Sequence, residues 1–246
     1  MTSAAALRFY ETDLFIPAYK SVVRGDWSLR VAELASAVGY WSDSCLVRDM
    51  AGLLRREADG RVSTWMTMTP MEIESQEIGC RLARGDTVVM GMGMGWCAAN
   101  AALRPEVTGV TVVERDPLVI EMNEVCAVFD QLPEAARSKI RVVQADALEY
   151  RHPSPADTLL ADIWLPLNGD DRVEQVRTMR ANTRAARVYY WGQEMTIARR
   201  ARDTGRPLDD ATVAAVAAGL DLGLLGPEWP GYAALTARAA ARWLRD

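Results

Sequence analysis

The chain has 246 residues and a formal net charge of −5, with half of its residues hydrophobic and a quarter charged. That balance suits one α/β domain plus an appendage. Acids interspersed with arginines disfavour nucleic acid as the main substrate, and no apolar run approaches the roughly 18 residues of a membrane span. The single histidine excludes any site needing two, and four cysteines without a C-x-x-C pair are expected to be reduced, buried or half-buried thiols.

The start, "MTSAAALRFYETD", lacks the basic-then-apolar pattern of a leader, which makes the cytoplasm the expected compartment. Residues 1–68 read as a mostly helical extension. "SLRVAELASAV" is one helix, and "SDSCLVRDMAGLLRRE" is another, with Leu46, Met50, Leu53 and Leu54 on one face and Ser42 to Ser44 as cap candidates. "RVSTWMTM" is β-like. This extension is expected to cover the substrate crevice.

Residues 69–246 form the second unit. "TPMEIESQEIGCRLARGD" has a capping box of Thr69 and Glu72, Pro70 at the first helical position and Gly85 as its stop. From Asp86 onward come short apolar runs: "TVVMG", "VTGVTVVE", "KIRVVQAD", "DTLLADIW" and "ARVYYWG". Helices are predicted between them at about 95–104, 117–129 and 170–182. The alternation predicts a Rossmann-like α/β fold, an open and mostly parallel sheet with helices on both faces. His152, in the proline-flanked "YRHPSPAD", reads as a surface-loop residue. From Gln193 onward the chain is rich in alanine and arginine and reads as a helical tail.

Chemistry concentrates at four strand ends. "VVMGMGMG" follows a strand and opens a helix, where free N–H groups and the positive end of the helix dipole attract an anionic group. Gly91-x-Gly93-x-Gly95 and Gly93-x-Gly95-x-x-Ala98 are competing registers, the second being that of a dinucleotide site. Glu114, 21 residues beyond Gly93, suits the ribose of either cofactor. Asp146 ends the third strand, where the dinucleotide fingerprint has no acid, and Asp162 ends the fourth, beside the crevice in which open α/β sheets bind ligands.

These motifs, over about residues 70–192, resemble the core of a class I S-adenosylmethionine (SAM) dependent methyltransferase. The resemblance implies SAM as cofactor and S-adenosylhomocysteine as product. It implies that Glu114 binds the ribose, that Asp146 with Ala147 binds adenine, and that the backbone from Gly91 to Gly95 cradles the methionine portion. Met92 within the loop and Arg115 beside Glu114 belong to the same cofactor-binding set. Within the superfamily the chain is similar to spermidine synthase-like proteins, since Asp157 and Asp162 reproduce their D-x-x-x-x-D and Glu74, Ser75 and Gln76 are placed to reach the cofactor's amino-acid end. Of that trio Ser75 is taken as the contact.

The chain departs from these families at several points. Val89 stands where most methyltransferases carry an acid, Leu165 stands where spermidine synthases carry a second aspartate, and no N-P-P-Y follows the fourth strand. The usual last β-hairpin is expected to be replaced by helices. Asp162 is the residue expected to touch both the cofactor's amino end and the acceptor, and the choice for a general base if one is used. Trp164, Tyr190 and Trp191 are either an aromatic pocket or ordinary packing. The expected acceptor is a small molecule or peptide, and a homodimer is left open. Spermidine synthase-like aminopropyl transfer and a non-catalytic use of the fold are the alternatives.

Overall fold

The computed structural model describes residues 8–169 and 172–245. Two sheets organise the chain. The first holds β1 (Val22–Arg24), β2 (Trp27–Ala37), β3 (Cys45–Arg56) and β4 (Val62–Thr67) in sequential antiparallel order. The second holds β5 (Gly85–Met90), β6 (Val107–Glu114), β7 (Ile140–Gln144), β8 (Thr158–Ala161) and β9 (Arg187–Tyr190). Its order is β7-β6-β5-β8-β9 and every pairing is parallel. This is the Rossmann-like fold.

The sheet doubles back between β5 and β8, so right-handed crossovers send α2 (Trp96–Leu103) and α5 (Arg172–Thr183) to opposite faces. From Thr87 to Met90, β5 is buried on both faces, as its unbroken apolar run requires. α1 (Pro70–Leu82) leads into β5. α3 (Pro117–Val125) and the single turn α4 (Glu134–Arg137) join β6 to β7. The tail is helical as expected, with α6 (Gln193–Asp203), α7 (Asp210–Leu220) and α8 (Tyr232–Trp243).

The mostly helical expectation for the N-terminal extension is overturned: β2 and β3 stand where the two helices were expected, while the β-like "RVSTWMTM" is β4. In β2 and β3 the buried positions alternate, Trp27 with Leu29 and Cys45, Val47, Ala51 with Leu53. Cross-strand pairing, such as Val31 opposite Ala51, places those odd-numbered side chains on one face. The sequence of β3 carries both periodicities, since Leu46, Met50, Leu53 and Leu54 also fall on a helical stripe. Of these four only Leu53 is buried. The long hairpin decides between the two, because β2 pairs with β3 over almost its whole length, a contact that no window along the chain contains. Ser42 to Ser44 accordingly sit in the connection between strands rather than at a helix cap.

Three smaller readings also change. Thr69 starts α1 without a side-chain cap, its hydroxyl lying 3.0 Å from that of Thr67, and Glu72 turns inward instead of closing a capping box. α1 ends at Leu82 with Ala83 extended, so Gly85 opens β5 rather than stopping the helix. His152 is only 4% exposed: its Nε2 lies 2.9 Å from an Asp86 carboxylate oxygen and its Nδ1 3.0 Å from the Tyr150 hydroxyl. It pins the loop after β7 to the start of β5.

Candidate active site

A cavity of about 310 Å³ opens at the carboxyl ends of the parallel strands, at the turning point between β5 and β8. Its floor is the loop after β5. Gly91 has φ +89°, and a Cβ there would stand 2.0 Å from the Asp162 carbonyl oxygen, so only glycine lets the β5 and β8 ends close up. Gly93, at φ +50°, leaves the room taken by the Met66 sulfur, 2.7 Å from where a Cβ would be. Met92, Met94 and Trp96 are all buried, and of the three only Met92 borders the cavity.

The acids sit at successive strand ends. Glu114 accepts from the backbone N–H of Met92 (2.9 Å) and of Asp116 (2.8 Å), so its carboxylate ties the end of β6 to the glycine loop. Asp116 caps α3 through Leu118 N–H at 2.9 Å and accepts from the Trp27 indole at 2.7 Å. Asp146 accepts from Leu148 N–H, and its other oxygen lies 3.7 Å from a nitrogen of Arg115. Asp162 ends β8 and accepts from Gln76 Nε2 at 3.0 Å. Burial raises the Asp162 carboxyl to about 7, against the opposing field of Arg172.

Of the residues expected from the sequence, Gly91, Met92, Gly93, Glu114, Arg115, Asp146, Ala147 and Asp162 all border this one cavity. Two do not. Gly95 lies beyond the floor as the N-cap of α2, close against Asn123 and Val128. Ser75 is fully buried behind the wall: its hydroxyl donates to the Glu72 carbonyl and accepts from the Trp191 indole. The α1 side chain that reaches the cavity is Gln76, one residue on. Glu74 is spent elsewhere, accepting the backbone N–H groups of Trp41 and Ser42.

The aromatic expectation divides. Trp164 and Trp191 border the cavity, while Tyr190 is buried edge-on against Trp164 at 6.4 Å. The two tryptophans already share a cation of the protein: the Arg172 guanidinium lies 4.7 Å from the Trp164 ring centre and 5.5 Å from that of Trp191. Its N–H groups donate to the carbonyls of Pro166, Leu167 and Trp191. Behind them the buried Glu194 accepts from the hydroxyls of Tyr40, Tyr189 and Tyr232, and burial raises its carboxyl above the ordinary range.

The far wall escaped the sequence reading. Trp27, Leu53, Arg55, Trp65 and Met66 come from the antiparallel sheet and face the strand-end acids across the cavity. Arg55 lies over the Trp27 ring at 5.2 Å, and Met94 N–H points at the Met66 sulfur at 3.2 Å. Alternation along β2 and β3 was the signal that could have found Trp27 and Leu53. Among the described residues no group of three or more histidines, cysteines or carboxylates is arranged to hold a metal ion, and no helix is long and apolar enough to cross a membrane.

No family model matches the sequence, and no curated protein matches it. Solved structures are similar at low identity. The methyltransferase domain of bacterial CtHen1 is 20% identical, with 48% of this chain and 65% of that one covered and a TM-score of 0.38. The glycopeptide N-methyltransferase MtfA, complexed with SAM, is 18% identical over 44% of this chain and 48% of its own, with a TM-score of 0.34. Spermidine synthase from Thermotoga maritima is 13% identical over 62% and 53%, with a TM-score of 0.36. These are the two groups whose motifs the strand ends resemble, and this chain spans less than two thirds of each matched chain. Likeness at this level says nothing of what the cavity binds; the fold stands on strand order and parallel crossovers.

Proposed function

We propose that the protein is a SAM-dependent methyltransferase acting on a small-molecule or peptide acceptor. The observation that carries the reading is convergence: the glycine floor, Glu114, Asp146 and Asp162 come from four strand ends and border a single cavity. The residues suit the nucleoside. A floor that tolerates no Cβ allows close backbone approach, Glu114 offers a carboxylate to the ribose hydroxyls, and Asp146 with Ala147 offers one edge to adenine. SAM when bound supplies an electrophilic methyl group on a sulfonium.

The chain's own work is then alignment and exclusion of water. On this reading the antiparallel sheet, residues 22–67, is the substrate cover of a domain running from residue 69, and Trp27, Trp65 and Met66 close the cavity opposite the acids. Asp162, beside Gln76 and Trp164, is the contact to the amino-acid end and to the acceptor. A carboxyl raised to about 7 takes up a proton readily at neutral pH, as an amine or hydroxyl acceptor requires and a carboxylate acceptor does not.

Isothermal titration calorimetry with SAM, S-adenosylhomocysteine, decarboxylated SAM and NAD tests the reading. SAM and S-adenosylhomocysteine should bind, and Glu114→Ala and Asp146→Ala should each weaken them at least tenfold, the loss of a charge-assisted hydrogen bond. Unchanged affinity in both variants, or tighter binding of NAD, overturns it. Tighter binding of decarboxylated SAM points to aminopropyl transfer instead.

A further inference from the structure

Three side chains at the edge of the floor form a chain that methyl transfer by itself does not explain. Gln76 Nε2 lies 2.7 Å from Glu72 Oε1 and 3.0 Å from Asp162 Oδ2. One amide nitrogen therefore spends both its hydrogens on two carboxyl groups. Glu72 and Gln76 stand one turn apart on the same face of α1, and Asp162 comes in from the end of β8. Glu72 is 5% exposed and sits behind the wall, whereas Asp162 borders the cavity.

The charges around this pair do not neutralise it. Arg172 on α5 lowers Asp162 through its field, yet its N–H groups donate to three backbone carbonyls. Cys97 on α2 faces both carboxyls as a thiol 3.6 Å from the Cys80 sulfur, and its proton is held by that contact and by burial. Tyr189 on β9 also borders the cavity, but its single hydroxyl proton is engaged between the Ser75 carbonyl and the Glu194 carboxyl. Two carboxyls joined through one amide and short of a countercharge cannot both ionise at modest pH. Burial, with the Asp162 charge added, holds the Glu72 carboxyl well above its ordinary range.

We propose that Glu72 works as a neutral acid that holds Gln76 onto Asp162, and that Asp162 releases its proton when the ammonium of the bound nucleoside's amino-acid end arrives. The proton goes to solvent, the ammonium keeps its own, and the carboxylate left on Asp162 pairs with it. Glu72 touches no ligand and is a positioning residue. This rests on reading the cavity as a SAM site, but its central claim, the protonation state of Glu72, does not depend on a ligand.

Two measurements test it. The first is calorimetric titration of S-adenosylhomocysteine in buffers of differing ionisation enthalpy, which counts protons. With Asp162 near 7, about 0.8 proton should be released at pH 6.5 and about 0.1 at pH 8, and affinity should rise about tenfold from pH 6 to pH 8. Asp162→Asn should abolish both the release and the pH dependence. Glu72→Gln, which mimics the neutral acid, should keep both, while Glu72→Leu should weaken binding and move the midpoint upward by stranding Gln76. Binding of the wild type without proton release, or a midpoint lowered by a full unit in Glu72→Gln, overturns the proposal. The second is the infrared difference between wild type and Glu72→Gln at pH 8 without ligand. A protonated-carboxyl band present only in the wild type is expected, and its absence overturns the proposal. Failure of S-adenosylhomocysteine to bind at any pH removes the SAM reading instead, and the infrared result still decides the state of Glu72.

Discussion

The two walls of the cavity are built by opposite logics. The parallel sheet contributes what its strand ends carry, a glycine turn and three acids, each at or just beyond the carboxyl end of a strand. The antiparallel sheet contributes side chains of residues inside its paired strands, with Trp27 at the first position of β2, Leu53 in β3 and Trp65 in β4 all bordering the cavity. A strand end can change residue without disturbing the sheet. A residue within the paired strands cannot, because the side chain that faces the cavity also belongs to the packing. The polar wall should therefore be separable from stability, and the apolar wall should not.

The largest effect that could break this contrast is at Trp27. It is 5% exposed, belongs to the main core and donates to Asp116 at 2.7 Å. Trp27→Ala should cost about 3–5 kcal/mol, which lowers Tm by about 10 °C in a chain of this size, as read by thermal denaturation. Next comes a pair of neighbours. Leu53 is 3% exposed and Leu54 faces the other side of β3. Leu53→Ala should cost about 2–5 kcal/mol and Leu54→Ala under about 1 kcal/mol. A helix would bury both, so equal losses in urea denaturation would contradict the strand.

The same pair shows how much was legible in the sequence. Parallel strands announce themselves by continuous apolar runs between glycine- and acid-bearing turns, and β5, β6, β7, β8 and β9 were all found that way, together with eight residues of the cavity border. The helical reading of β2 and β3 fails because Leu46, Met50, Leu53 and Leu54 fit a helical stripe as well as Cys45, Val47, Ala51 and Leu53 fit a pleat; pairing at long range chooses between them, whereas the β-like "RVSTWMTM" is β4. Ser75 was preferred to Gln76 because the sequence gives the helix but not its rotation against β8. His152 looked exposed because prolines flank it, and nothing local revealed Asp86 as its partner, 66 residues earlier.

The polar wall supplies the smaller effects. Asp146 faces the cavity half-buried, and its carboxylate meets the Leu148 backbone N–H and Arg115. Asp146→Ala should leave Tm within about 2 °C while reducing S-adenosylhomocysteine affinity by about 1.5–3 kcal/mol. A large fall in Tm would mean that this acid, like Trp27, is part of the packing, and the two walls would differ less than their architecture implies.

The finest distinction lies at Asp162, whose stability effect should change with pH. Its carboxyl is raised to about 7 in the folded chain and ionises near 4 in the unfolded one. Between those values the folded state binds more protons than the unfolded state, so stability falls as pH rises from about 4 to 7 and the fall stops above 7. Asp162→Asn cannot ionise. Its Tm should match the wild type near pH 4 and exceed it by a margin that widens up to pH 7. The margin should level off above pH 7, where the carboxyl is ionised in both the folded and the unfolded chain. A margin independent of pH would place the effect in packing. A wild type more stable at pH 8 than Asp162→Asn would show that the buried carboxylate is stabilised by its surroundings, and would remove the tension between folding and ligand binding at this strand end.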